Sequence, residues 1–231
     1  MLNALDHPLT RRYASRKTAT LPSSYLDMVA AHTREVGDGY GIRDFTLADN
    51  LVSPAVLKQL CNLNIDRSLG ITWDSMARFE NAYTPSFCRL LRRGGCTRLD
   101  LGLETASDDG LRRIHKGITM KTVVRNLEDL RRAGIRTKVF VIHYPGQPPE
   151  EFEATLKFLV DQGDRISEVA VSRFCLAMDT IPFAQPGGLG LRIPAASTGA
   201  LDVFHVPYAA RSELPLDEMI DITRRYLPGY W

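Results

Sequence analysis

The four cysteines, Cys61, Cys88, Cys96 and Cys175, include no pair at C-x-x-C spacing. That excludes the zinc-knuckle and thioredoxin-type sites that close pairs support. Each lies in or beside an apolar run, as in LKQLCNLN and RFCLAM, so the expectation is buried, reduced thiols. An excess of either charge is also missing. Against 29 Lys and Arg stand 27 Asp and Glu, a net +2, too even for the basic footprint of a nucleic-acid or anionic-membrane binder. No apolar run approaches the roughly 18–20 residues that span a bilayer. The opening MLNALDHPLTRRYASRK has basic residues but no apolar stretch behind them, so it is not a secretory leader. There is no P-loop, H-E-x-x-H, EF-hand loop or recognisable Ser-His-Asp spacing, and no strand is followed by a G-x-G-x-x-G helix start. These absences leave a cytoplasmic globular protein, with no nucleic acid and no membrane among its partners.

What is present is alternation. The 231 residues, 44% hydrophobic and 24% charged, suffice for one sizeable core. Ser23-Ser24 with Asp27 reads as a capping box opening a helix that ends near Gly37–Gly41. RDFTLAD (43–49) reads as a strand. Ser53-Pro54 and Thr84-Pro85 each place an N-cap before a proline at the first helical position. Between them ITWDSMAR (71–78) is a strand, and TRLDLGLE (97–104) is the next. KTVVRNLEDLRRA (121–133) carries a helical stripe at Val124, Leu127 and Leu130. IRTKVFVIHY (135–144) is the most continuous apolar strand, and Pro148-Pro149-Glu150-Glu151 opens a helix with acid at its positive end. EVAVSRF (168–174) follows, then a Gly/Pro-rich loop over 181–193 and a last helix, Pro215 to Tyr226. Strand starts near 43, 71, 97, 135 and 168 predict an α/β fold. It is a parallel sheet with crossover helices, either a βα barrel or a doubly wound sheet.

Ligands in such sheets sit at the carboxyl ends of the strands. Those ends carry Asp49-Asn50, Arg78 with Glu80 nearby, Glu104-Thr105, His143-Tyr144-Pro145-Gly146, and Arg173 with Cys175. Glu104 follows Leu-Asp-Leu-Gly-Leu, so it emerges partly buried and needs a partner or a ligand. His143 closes an apolar strand and reads equally well as a structural or a functional histidine. His115-Lys116-Gly117 reads as a helix end.

Four segments carry a family likeness: FTLADN (45–50), GCTRLDLGLETASDDGLRRIHKGIT (95–119), NLEDLRRAGIRTKVFVIHYPGQPPEEFEATLKFL (126–159), and the final strand with its Pro/Gly-rich tail. The pattern G-x-E-S/T-x-S-x-x-x-L-x-x-I/M-x-K-G is met by Gly102, Glu104, Thr105, Ser107, Leu111, Ile114, Lys116 and Gly117. Over residues 12 to 195 the chain resembles the barrel of radical S-adenosylmethionine enzymes, in the branch that often carries a separate cobalamin-binding domain.

The resemblance implies a partial, open βα barrel (a fragment of a TIM-type barrel) of about five parallel strands with outer helices. Its arm is 1-22, its barrel 23-180 and its C-terminal extension 181-231. It implies S-adenosylmethionine and a 4Fe–4S cluster as cofactors, with cobalamin only through a separate domain. It also implies reductive cleavage to a 5′-deoxyadenosyl radical. By position, Asp49 meets the methionyl amino group, and Glu104 faces the ribose or the methionyl end. Tyr144 to Gly146 lie beside the adenine, and Arg78 offers a cation to a carboxylate. The departure is the cysteine triplet C-x-x-x-C-x-x-C, which is absent; the strands here are then the family's second to sixth. The expectation is a truncated core, inactive alone, needing an upstream or partner chain for the cluster loop. The alternative is a non-catalytic scaffold barrel that binds S-adenosylmethionine or a partner. Either way, residues 1–22 or a second chain would cover the exposed edge of the first strand. The substrate is not legible in the sequence.

Overall fold

A computed structural model describes residues 20–48, 52–178, 180–194, 206–210 and 212–229. Its elements are α1 (Ser23–Tyr40), β1 (Asp44–Leu47), α2 (Pro54–Asp66), β2 (Thr72–Arg78), α3 (Pro85–Arg93) and β3 (Cys96–Glu104). Then come α4 (Asp108–Arg113), α5 (Met120–Arg132), β4 (Arg136–His143), α6 (Pro149–Asp161) and β5 (Glu168–Arg173). The five strands form one sheet in the order β1-β2-β3-β4-β5, every neighbour parallel. An order that never reverses has no topological switch point, so this is the open βα barrel and not the doubly wound sheet.

Local chemistry sets where each crossover helix begins. The Ser53 hydroxyl accepts from Val56 N at 3.3 Å ahead of Pro54, and Thr84 accepts from Phe87 N at 3.3 Å ahead of Pro85. Ser107 caps α4 and Thr119 caps α5 in the same way. These caps satisfy amide donors that the helix leaves unpaired, and they fix the length of each loop at the strand ends. The Ser24–Asp27 capping box does not form. Helix α1 starts behind Pro22 with no side-chain cap, and the Pro22 carbonyl takes the first amides, Tyr25 N and Leu26 N, at 3.1 Å each.

Alternation along the strands separates two faces. Leu99, Leu101 and Leu103 of β3 and Val139 and Val141 of β4 are fully buried against Leu57, Leu91, Val123, Leu127, Leu130, Phe152 and Leu156 of the helices. The other face, lining the barrel interior, is polar at the amino ends of the strands. There Arg98 Nε lies 2.8 Å from Asp100 Oδ1, and its terminal nitrogens reach Asp74 at 3.5 Å and Glu168 at 3.6 Å. Lys138 lies 3.7 Å from Glu168. Higher on the same face stand Met76, Phe140 and Ile142.

Beyond β5 the 181–193 stretch is not a plain loop. It forms α7 (Ile181–Ala184), a 3₁₀ turn (Pro186–Leu189) and β6 (Leu191–Arg192), which pairs antiparallel with β7 (Ala209–Ala210). Glycine and proline do punctuate it. Leu189, Leu191 and Ile193 between them nevertheless pack with Leu176, Val206 and Phe174 into a second small cluster, and that burial holds the turns in place. Helix α8 (Leu216–Tyr226) returns to α6 and inserts Met219 and Ile222 into the main core. Among the described residues β1 pairs only with β2. The expectation that the arm covers its free edge falls largely on residues 1–19, outside the described residues.

Candidate cofactor site at the strand ends

The interior strand ends of β2 and β3 meet at one ion pair. Lys116 Nζ lies 2.7 Å from Glu104 Oε1, with side chains 7% and 12% exposed. The Arg78 guanidinium at the end of β2 donates to the Lys116 carbonyl at 2.5 Å. Burial lowers the Lys116 pKa from the usual lysine value, and the Glu104 carboxylate acts against that fall. Glu104 Oε2 is buried with no hydrogen-bond partner. The site therefore holds two cations, one carboxylate and one spare carboxylate oxygen.

The backbone is shaped to make this pair. Glu104 has φ 70°, a left-handed conformation that L-residues adopt at a cost of order 1–3 kcal/mol. The β3–β4 register slips between Gly102 and Glu104 at the same place. The slip turns the carboxylate inward over Gly102. A Cβ at Gly102 would stand 2.7 Å from Glu104 Oε1 and 3.1 Å from Lys116 Nζ, so only glycine leaves the pair its room. Lys116 follows the end of α4, flanked by two left-handed residues, His115 at φ 51° and Gly117 at φ 71°. Its amide bonds to the Leu111 carbonyl at 2.9 Å.

Tyr144 lies in a different cluster. It is 3% exposed, and its hydroxyl donates to Glu151 Oε1 at 2.7 Å while accepting from Arg113 at 3.0 Å. Thr105, the residue after Glu104, also donates to Glu151 Oε1, at 2.9 Å. Adjacent residues of one strand end thus serve opposite sides: Glu104 the interior, Thr105 the helix layer. Gly146, at φ 79°, has open space where a Cβ would stand, and its amide donates to the Ser212 carbonyl at 2.8 Å. Asp49 lies outside the described residues. The structure therefore joins Arg78 and Glu104 and sets Tyr144 apart from them. It adds Lys116, which the sequence offered only as a matched motif position and a helix end, because burial of a lysine leaves no mark in hydropathy.

The cysteines are elsewhere. Cys61 in α2, Cys88 in α3 and Cys96 at the start of β3 are fully buried in the core between sheet and helices. Burial pushes the Cys61 and Cys88 thiols up to about 12, and Cys96 is raised by the same cause. These three thiols lie within the helix-side core rather than at the inner strand ends. Cys175 is exposed, contrary to the expectation of burial. It stands past the end of β5, between Phe174 and Leu176, which take the inward positions. Among the described residues no group of three His, Cys, Asp or Glu side chains is placed to hold a metal ion. Nor is any helix among them long and apolar enough to cross a membrane.

Comparison with known proteins gives a consistent picture. The family model of the radical SAM superfamily matches residues 24–159. An uncharacterized methyltransferase of Pyrococcus horikoshii is 29% identical over 122 residues, 52% of this chain and 26% of that protein. The ribosomal protein uS12 methylthiotransferase RimO of Moorella thermoacetica is 30% identical over 141 residues, 58% of this chain and 31% of that one. The chain thus spans about a quarter to a third of the length of these relatives. Among solved structures, the radical S-adenosylmethionine methyltransferase TsrM from Kitasatospora setae, with cobalamin and a 4Fe-4S cluster bound, superimposes with a TM-score of 0.56 at 17% identity. That match covers 72% of this chain and 33% of TsrM. Coproporphyrinogen III oxidase HemN from Escherichia coli, a radical SAM enzyme, gives 0.56 at 14% identity over 88% of this chain and 45% of its own. At these identities the likeness is one of fold.

Proposed function

Because the chain belongs to the radical SAM superfamily, we propose that its inner strand ends are the S-adenosylmethionine-binding part of a radical SAM enzyme core. Membership implies both S-adenosylmethionine and a 4Fe–4S cluster. The chemistry that S-adenosylmethionine supplies in this superfamily is reductive cleavage to a 5′-deoxyadenosyl radical.

The residues suit the first cofactor. Glu104 Oε2, buried and unpartnered, is an acceptor for an ammonium or a ribose hydroxyl. Arg78 and Lys116 supply positive charge for a carboxylate, and Arg78 holds the turn that carries Lys116. Gly102 keeps the floor beneath them clear. In this reading Gly146 lets a ring approach the β4–α6 turn. Tyr144 holds that turn through Glu151, and Asp49 meets the amino group. The orphaned carboxylate oxygen is the observation that carries the assignment, since a buried acceptor left unpaired costs about 1–3 kcal/mol.

The residues do not suit the second cofactor. The buried cysteines lie in the helix-side core, away from the inner strand ends, and Cys175 is the one exposed thiol. Cluster chemistry on this barrel takes its thiolates from protein beyond these four cysteines, an upstream segment or a partner chain. The placement of the cysteines also favours a second reading, a cytoplasmic barrel that binds S-adenosylmethionine without a cluster of its own. In both readings residues 23–180 form the barrel and 181–231 an extension. The names of the relatives suggest methyl or methylthio transfer as the reaction the whole protein serves.

Two measurements on the purified full chain test this. Calorimetric titration with S-adenosylmethionine should show saturable binding to one site, and no heat at ligand concentrations of order millimolar would sink the assignment. Anaerobic treatment with iron and sulfide should leave the chain colourless. A brown protein with a stoichiometric cluster would overturn the reading of the cysteines.

A further inference from the structure

Behind the ion pair, on the helix side of the sheet, one carboxylate gathers donors from three turns. Glu151, in the first turn of α6, has a side chain 12% exposed. Its Oε1 accepts from the Tyr144 hydroxyl at 2.7 Å, the Thr105 hydroxyl at 2.9 Å and the Gln147 side-chain amide at 3.3 Å. Its Oε2 accepts from the Arg113 guanidinium at 3.1 Å. One turn along α6, the Thr155 hydroxyl accepts from the Ala106 amide at 3.0 Å and donates to the Glu151 carbonyl at 2.8 Å. Helix α4 closes on the group at Gly110, where a Cβ would overlap Glu151 Oε1 and stand 2.7 Å from Thr105 Cγ2. Burial works to raise the Glu151 pKa, and the bonds from Tyr144, Thr105 and Arg113 more than reverse it. The group is therefore a carboxylate at neutral pH.

We propose that Glu151 is a positioning residue: from the far side of β3 it sets how Glu104 and Lys116 meet, and so keeps Glu104 Oε2 open to a ligand. Each member of the ion pair is tied to it through a neighbour. Thr105 follows Glu104 directly, and Glu104 keeps its left-handed φ of 70° only where the surrounding chain over-determines it. The bonds from Thr105 and Ala106 to α6 supply that constraint. On the other side, Arg113 ends α4, and the turn carrying Lys116 hangs from the same helix. His115 N donates to the Arg112 carbonyl at 3.0 Å, and Lys116 N to the Leu111 carbonyl at 2.9 Å. Releasing Arg113 lets α4, with Lys116, shift against β3. Charge matters here as well as shape. Glu151→Gln keeps an oxygen for Thr105 and Tyr144 but turns an amide NH2 toward Arg113, donor against donor. The role in ligand binding rests on the reading of the inner strand ends as the S-adenosylmethionine site. The role in holding the ion pair does not.

Two readouts on the full chain test this. In calorimetry, Glu151→Gln should weaken S-adenosylmethionine about tenfold. The second readout needs no ligand. The coupling between Glu104 and Lys116 comes from the urea midpoints of Glu104→Leu, Lys116→Met and the double variant. It should fall by at least about half when that cycle is repeated on Glu151→Gln. Leu130→Ala, a core change on α5, controls for lost stability alone. It should lower the urea midpoint while leaving the coupling unchanged and the affinity within about threefold of the parent. Thr105→Val removes one bond to the carboxylate and keeps the shape. It should show both effects at a smaller size, about threefold in affinity, and it decides the matter if Glu151→Gln does not fold. An unchanged coupling in these variants would overturn the inference, whether or not the ligand binds. So would parental affinity in Glu151→Gln, or an equal loss of affinity in Leu130→Ala. A parent that gives no heat would instead sink the cofactor assignment, and the coupling alone would then decide the role of Glu151.

Discussion

Glu104→Leu should destabilise the chain by about 3–5 kcal/mol, while Glu104→Leu combined with Lys116→Met should recover most of that loss. The single change leaves an ammonium group, 7% exposed, with no counter-charge on the inner end of β3. Lys116→Met alone leaves the carboxylate in the same position and should cost a comparable amount. Removing both takes away two desolvated charges together and puts apolar side chains of similar length in their place. Urea unfolding measures this directly: midpoints should fall in both single variants and return toward the parent in the double variant, with the denaturant slope unchanged. The same double variant should fail to bind S-adenosylmethionine. A folded protein that no longer takes the ligand separates the role of the pair in recognition from its role in stability. Strictly additive losses would mean that the two groups do not depend on each other.

Gly102→Ala should be the second large effect, and its weight should fall on binding. The new methyl would enter space where Glu104 Oε1 stands 2.7 Å away and Lys116 Nζ 3.1 Å away. The long side chains can swing aside, so the cost to folding should be about 1–3 kcal/mol. The displaced carboxylate can no longer present Oε2, and a lost hydrogen bond to a charged group costs about 1.5–3 kcal/mol, roughly ten- to a hundredfold in affinity. Calorimetry should therefore show S-adenosylmethionine affinity reduced at least tenfold in a variant that still unfolds cooperatively. Unchanged affinity would show that the ligand does not use this floor.

The barrel was legible because its signals are local. Thr84-Pro85 and Ser53-Pro54 start helices by capping and by a fixed φ, and β3 alternates leucine with polar residues. The observed strands match the sequence reading to within two residues at every end. The departures have physical causes as well. The Ser24–Asp27 box lost because the helix starts earlier, behind Pro22, whose carbonyl takes the Tyr25 and Leu26 amides and leaves Ser24 inside the first turn. The Gly/Pro-rich stretch after β5 folded because Leu189, Leu191 and Ile193 found long-range partners that no local window contains. At the site, Glu104 could be picked out because a carboxylate after four interleaved apolar and small residues has to be answered by something. The answer, Lys116, comes from twelve residues on, between two left-handed residues, and neither spacing nor hydropathy shows a lysine turned inward. Tyr144 sat at the end of a strand as a ligand-facing residue should. Its direction was decided by Glu151 on the following helix, a partner set by tertiary packing.

The most direct measurement is an experimental structure of the full chain grown with S-adenosylmethionine. The account requires the ligand's methionyl or ribose end on the inner face, within hydrogen-bonding distance of Glu104 Oε2 and flanked by Arg78 and Lys116, with the four thiols free of iron. Ligand bound elsewhere, with Glu104 Oε2 still unpartnered, or iron on Cys61, Cys88 or Cys96, would contradict it.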